Sequence, residues 1–478
     1  MRFPLFGASL VITMSVVLSD RIQLSGADEV SGDNPPISFS PIPKKIAPVP
    51  STIVQPLSDL CQKVSDCEAR GYFEEAREHL LEALDISRRQ FDESHYMVRQ
   101  FKCSLAGHDW ITTLDDNQRT KYAQSRAMLL AAKSLIKEQK FDEALGQYEK
   151  IVQTFEELKV PPCPLTADIF EDMSIALIST DRAKEAISPA QKAYGIVCDS
   201  VSEFSPEAAT ALETLGEAHR SNGDYYNSIR ELCRSCRVWN ACVGEGSVKP
   251  STTDGYTDAL QSLMLDLLAV EDYDRTSLCF DALQNAIQQN SLTNKSRHYL
   301  ICWLECELLN SKGQHREALA KADDLVSFAK SMSGAEADAL LLDAQTIKAE
   351  ILLDLNQPEQ VEELIGVAFS IKFKGDLDQQ LQNSHLTVVY ARLLVAKNKY
   401  IEAADLLEQV IQGLEKKNGS RFSGLRVFLK SYSTALRHLG RNEEASKVDA
   451  RIIEIKDSLA EMRRQIDADP ECKFPWEK

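Results

Sequence analysis

From Leu57 onward, apolar residues recur three and four positions apart with charged residues between them, so the chain reads as one amphipathic helix after another. Short breaks at Gly, Asn, Asp or Pro separate the helices, and the sequences after the breaks resemble one another. They are KFDEAL at Lys140, RAKEAI at Arg182, DYYNSI at Asp224, DYDRTS at Asp272, QHREAL at Gln314, QPEQVE at Gln357, KYIEAA at Lys399 and RNEEAS at Arg441. A small residue closes the core of each motif, at Ala144, Ala186, Ser228, Thr276, Ala318, Val361, Ala403 and Ala445. The successive spacings are 42, 42, 48, 42, 43, 42 and 42 residues, which marks an internal repeat.

An earlier copy, GYFEEAREHLLEAL from Gly71, places Ala76 68 residues before Ala144. The intervening stretch from Glu93 to Arg119 is expected to hold an irregular helical pair, with DESHYMVRQFKCSLA as its first helix. Each unit predicts two helices of roughly 14 to 18 residues joined by a tight turn, too small to be stable alone and therefore packed on its neighbours. The small column lets the second helix approach the first, and large apolar residues further on, such as Tyr148 and Ile151 or Phe280 and Leu283, fill the groove between them.

The unit ALETLGEAHRSNGDYYNSIREL, with Leu215, Gly216, Gly223, Tyr225 and Ser228, resembles the tetratricopeptide repeat. Its spacing is similar to the extended repeat of kinesin light chains and many bacterial repeat proteins. The likeness covers residues 57 to 465, although Thr276 and Val361 replace the usual alanine and only the third copy has the Leu-Gly pair. The resemblance implies an all-α, right-handed superhelical α-solenoid of stacked hairpins that binds protein segments in its concave groove, without catalysis.

The ends read differently. Residues 1–27 carry Arg2 ahead of an apolar run from Leu5 to Leu18, shorter than the ~20 residues that span a bilayer, and are expected to be an export signal cut after Ser19 or Ala27. An uncleaved anchor is the alternative. Asp28 stands where a lipidated cysteine would have to be, so no lipid anchor is indicated. Residues 28–56 are rich in proline and serine and are read as a linker, and 466–478 as a C-terminal tail. The expected location is periplasmic, cell-envelope or secreted.

The 478 residues carry a net charge of −18, which repels phosphate backbones and anionic lipids and points to neutral or basic ligands. Nucleic acid is excluded as a partner, as is membrane insertion after signal cleavage. No phosphate-binding glycine loop, His-Glu-x-x-His or Gly-x-Ser-x-Gly is present, and no cofactor is expected. Acidic pairs such as Glu74 and Glu75 recur where second helices begin and suit the helix dipole. The stretch from Lys447 to Lys478 is too short for the protease domain that some related repeat proteins carry.

Three of the twelve cysteines lie close together in LCRSCRVWNACVG. Register with the other copies puts Cys236 in an apolar column and Cys233 in a solvated one, with Glu149, Gln191, Asp281, Asp323 and Glu408. Packing as small hydrophobes is the favoured reading for both. A disulfide, or a thiol- or metal-dependent module centred on Cys233, Cys236 and Cys242, is the alternative; a zinc site lacks its second ligand pair here. Cys306 falls in the close-packing column of Gly216.

If first helices line the concave face, the partner-binding candidates are Arg126, Lys133, Asp168, Glu171, Asp172, Glu213, Glu217, Asp258, Trp303, Glu307, Asp343 and Glu350, followed by Arg392, Lys430 and Arg437. The middle of this series is acidic and its ends basic, so the expected ligand is a protein segment or peptide with a basic centre. Trp303 would anchor it if exposed, and otherwise belongs to the core. The asparagine ladder of kinesin light chains is not reproduced: its column reads Asp172, Thr214, Ser262, Leu304, Ile347, Val389 and Ser431. A non-catalytic scaffold is the leading reading, and an accessory subunit for an enzyme on another chain a further one.

Overall fold

The computed structural model describes Ala47 and residues 49–243, 250–290, 295–333, 337–372, 384–418 and 424–474. The export signal and most of the expected linker lie outside the described residues. Every regular element among the described residues is helical. In chain order these are α1 (Ser51–Arg70), α2 (Phe73–Arg88), α3 (Tyr96–Thr112), α4 (Asp116–Lys137), α5 (Phe141–Leu158), α6 (Pro164–Ser179), α7 (Ala183–Ser200), α8 (Pro206–Ser221), α9 (Tyr225–Val243) and α10 (Pro250–Ala269). They continue with α11 (Tyr273–Asn290), α12 (Lys295–Ser311), α13 (His315–Lys330), α14 (Ala337–Asp354), α15 (Pro358–Lys372), α16 (Ser384–Ala396), α17 (Tyr400–Asn418), α18 (Leu425–His438) and α19 (Asn442–Ala468), and a 3-10 turn closes the series at Pro470–Cys472.

Apart from α3, the helices pair as hairpins, each turning on one residue of left-handed backbone: Gly71, Gln139, Asp181, Gly223, Glu271, Gly313, Asn356, Asn398 and Gly440. The amide after it reaches back to the first helix, as in Tyr72 N to Cys67 O at 2.8 Å, Asp224 N to His219 O at 2.9 Å and Arg441 N to Leu436 O at 2.9 Å. This six-to-one bond satisfies a carbonyl the helix end would otherwise leave unpaired. Five residues past each turn stands Ala76, Ala144, Ala186, Ser228, Thr276, Ala318, Val361, Ala403 or Ala445, and all nine are 0% exposed. The expected small column is thus fully buried in every hairpin.

Two local expectations are corrected. Helix α1 begins at Ser51 inside the expected linker and contains Pro56. Ile53, Leu57, Leu60, Val64 and Cys67 form its inward stripe, and packing along that stripe outweighs the one backbone hydrogen bond that Pro56 forgoes. The irregular stretch after Glu93 is one helix, not a pair. Helix α3 packs on α2 and reaches α6 and α7, while α1 stacks directly on α4. One inserted helix therefore accounts for the long first interval.

First helices of successive hairpins touch throughout: α1 on α4, α4 on α6, α6 on α8, α8 on α10, α10 on α12, α12 on α14, α14 on α16 and α16 on α18. Second helices of adjacent hairpins make no comparable contact among the described residues. The stack is therefore shorter along its first helices, which form the concave face.

The superhelix also closes on itself. The end of α19 and the 3-10 turn pack on α9, about half the chain away. Arg237 pairs with Glu471 at 2.6 Å, the Tyr226 hydroxyl donates to Asp469 at 2.8 Å, and Arg275 pairs with Asp467 at 2.9 Å. Arg463 donates to the Val270 carbonyl at 2.7 Å, and Arg426 forms an ion pair with Glu271. The last helix runs to Ala468, so the expected tail begins inside α19 and continues as this seam.

Candidate binding groove

The groove is built from side chains one repeat apart on first helices. Near its N-terminal end, Arg126 of α4 is buried and donates through Nε to Glu68 Oε2 at 2.7 Å, while His108 Nε2 lies 2.6 Å from Glu68 Oε1. Burial alone would raise the Glu68 carboxyl, but the Arg126 charge and the His108 hydrogen bond outweigh it and hold it below its ordinary value. Arg126 is thus an internal ion-pair partner rather than a ligand-facing cation. Lys133, half exposed, sits 3.7 Å from Asp168 and 3.6 Å from Asp172, and the Tyr148 hydroxyl donates to Asp172 at 3.1 Å.

In the middle, Glu171 is buried and lies 3.5 Å from the Thr214 hydroxyl. Glu213 accepts from the Trp239 indole at 2.5 Å and from the Ser235 hydroxyl at 3.0 Å. Burial pushes the Glu213 carboxyl well up, the two donors oppose this, and the nearby charges of Asp258 and Glu171 add to it. Glu217 lies 3.9 Å from Arg220, whose guanidinium also reaches buried Asp266 at 3.4 Å. The Trp239 indole packs against Gly255, where a Cβ would stand 2.3 Å from the ring.

Further on, Glu307 of α12, Glu350 of α14 and His385 of α16 bring their ligand-type atoms within 4.8 Å of one another. His385 Nε2 lies 2.8 Å from Glu350 Oε2, and Arg392 donates to Glu350 at 3.0 Å and to Asp354 at 2.6 Å. Asp343 is buried and accepts from the Tyr299 hydroxyl at 3.2 Å. Burial favours neutral His385, but the Glu350 hydrogen bond and the surrounding carboxylates prevail and push its pKa up to about 9. The same His385 hydrogen bond, with the charges of His385 and Arg392, overcomes burial at Glu350 and holds its carboxyl low. Glu307 is the opposite case: burial first, then Glu350, push it up to about 8, and it accepts no hydrogen bond among the described residues. The Arg392 guanidinium already supplies Glu350 with its cation, so this cluster holds protons more readily than a metal ion.

Three further candidates differ in their surroundings. Trp303 is 1% exposed and belongs to the core, so the condition under which it would anchor a ligand is not met. Lys430 is exposed, and Arg437 pairs with Asp449 of the second helix α19. The sequence reading did not single out His385, Asp354, Trp239 or Ser235. His385 stands one repeat after Asp343, so the register itself carried that signal.

The three clustered cysteines are all buried and face different neighbours. Cys236 lies beside Cys279, Cys242 points at the Phe204 carbonyl, and Cys233 donates to the Cys472 carbonyl. Cys233 therefore departs from its solvated column because the C-terminal seam covers it. Burial pushes its thiol well above the ordinary range, the reverse of an activated thiolate.

No protein-family model matches the chain, and no curated protein matches it. Solved structures do. The apo form of the quorum sensor NprR from B. thuringiensis superposes with a TM-score of 0.51 at 13% identity, covering 79% of this chain and 97% of that one. The apo form of RapI gives 0.49 at 11% identity, covering 86% and 98%. The Rap conjugation gene regulator of plasmid pLS20, solved in complex with the Phr* peptide, gives 0.40 at 12% identity, covering 86% and 97%. The likeness to NprR establishes the fold as a helical-repeat solenoid of the tetratricopeptide type.

Proposed function

We propose that this chain is a non-catalytic binding protein that takes a segment of another protein, or a peptide, into its concave face, and that the bound segment presents a basic centre. One observation carries the reading: the groove cations Arg126, Lys133 and Arg392 are already held by the chain's own carboxylates, whereas Glu307 forms no ion pair or hydrogen bond among the described residues, its nearest positive group being the His385 imidazole within 4.8 Å, which is engaged by Glu350. A lysine or arginine delivered by a ligand would displace the Glu307 proton and form a charge-assisted contact in a partly desolvated site. The net charge of −18 would favour the approach of such a ligand. We further propose that binding takes place outside the cytoplasm, on the apolar run from Leu5 to Leu18.

Labelled peptides with a Lys- or Arg-rich centre test the first part by fluorescence anisotropy. Binding should weaken at high salt and fall by about tenfold in Glu307→Gln, the factor that corresponds to one contact of ~1.4 kcal/mol. Acidic peptides that bind as tightly as basic ones would overturn the reading. Cell fractionation with an antibody tests the second part, and a purely cytoplasmic signal would overturn it.

A further inference from the structure

A second site lies away from the groove, where the first hairpin turns. Cys67 in the last turn of α1 faces Glu75 and His79, one helical turn apart in the first half of α2, and the ligand-type atoms of all three lie within 4.8 Å of one another. They line a cavity of about 310 Å³ together with Lys63, Asp66 and Arg70. The arrangement is fixed by the backbone: the left-handed residue Gly71 turns the chain, and Tyr72 N closes onto the Cys67 carbonyl at 2.8 Å. That bond holds the end of α1 against the start of α2, so the thiol and the Glu-x-x-x-His pair face one another across the turn.

We infer that Cys67, Glu75 and His79 form a zinc site. The donor set points to zinc, since a thiolate and an imidazole select it over magnesium or calcium, which take oxygen ligands. Bonds of about 2.3 Å to sulfur and about 2.0–2.2 Å to nitrogen and oxygen put tetrahedral ligands roughly 3.5 Å apart, so the three side chains need shift by about 1 Å to close on the ion. A water supplies the fourth position. On binding, the Zn–S bond replaces the Cys67 S–H bond and the proton passes to solvent. Lys63 and Arg70 stand at the rim on long stems that can carry their charges into water. The site is independent of the groove, so it stands or falls apart from peptide binding.

The test uses the full chain, freed of metal by chelation and titrated with Zn²⁺ and then with Co²⁺ as a spectroscopic probe. One equivalent of zinc should bind, and Co²⁺ should give a near-ultraviolet thiolate charge-transfer band. Cys67→Ser should abolish that band, and His79→Ala and Glu75→Gln should each weaken zinc binding by tenfold or more, with helical circular dichroism unchanged. Cys61→Ser, an exposed thiol on the same helix, should change nothing. Absence of stoichiometric zinc, or a cobalt band that survives Cys67→Ser, overturns the site.

Discussion

The Cys233 thiol donates to the Cys472 carbonyl across 3.3 Å, although 239 positions separate the two residues in sequence. Around this contact Arg237 donates to the Glu471 carbonyl at 2.9 Å and pairs with its carboxylate, and Arg275 lies 6.0 Å from the Phe474 ring. Loosening this seam should therefore expose the thiol. In Arg237→Ala, Cys233 is expected to change from unreactive to reactive toward a maleimide in the native protein, with a stability loss of about 1–3 kcal/mol for the charged hydrogen bonds removed. Mass spectrometry of labelled peptides reads the first effect and thermal denaturation the second.

The buried pair at the N-terminal end makes a second prediction. Removing Glu68 leaves Arg126 charged and without its carboxylate, so Glu68→Ala should cost about 3–5 kcal/mol. Replacing both residues together, as Glu68→Met with Arg126→Met, should recover most of that loss. Denaturation of the single and double variants checks both values.

Glu307 and His385 govern the response to base. Each binds protons in the folded chain over a range in which the unfolded chain has lost them, from about 4.5 to 8 for the carboxyl and from about 6.5 to 9 for the imidazole. The groups facing them are Asp343, Glu350, Asp354 and Arg392. With more protons on the folded state, stability falls as pH rises through these windows. The melting temperature should drop between pH 6 and pH 9 by roughly 2–4 °C or more, the effect of about 1 kcal/mol in a large domain. Glu307→Gln should flatten the profile and melt higher than the parent at pH 9. An unchanged slope would show that the carboxyl titrates elsewhere.

Gly255 sets the position of Trp239. A Cβ there would stand 2.3 Å from the indole ring, so Gly255→Ala must displace the ring and break its bond to Glu213. Overpacking of this kind costs about 1–3 kcal/mol. A shifted tryptophan emission together with a lowered melting temperature is the expected result.

The repeated hairpins were legible because nearest-neighbour packing imprints itself on the chain. Where the two helices of a hairpin meet, a small side chain is favoured, and the column from Ala76 to Ala445, alanine except at Ser228, Thr276 and Val361, could be picked out by its spacing together with its size. Pro56 misled because proline is a local signal, while the stripe from Ile53 to Cys67 that overrides it is a packing signal. Register failed at Cys233 for a different reason: its cover comes from a segment outside the repeat, and a periodic argument contains no information about such a contact. Trp303 shows the same limit, since its helix face alone left core and groove open. Most groove carboxylates were named from the register, but the pairing of their cations was not: Arg126 is taken by Glu68, outside the columns considered, and Lys133 and Arg392 by carboxylates on the neighbouring first helix, a contact between repeats that a column-by-column comparison does not display.

A stack of hairpins bonded only to its neighbours behaves as a spring that stretches a little at every joint. The joint between α9–α11 and α18–α19 ties distant coils together and turns that length of spring into a stiff washer. Any guest that needs the bore to widen must first part the weld, which uncovers a sulfur atom as it goes. Alkylation rate at position 233 thus becomes a gauge of how far the bore has opened.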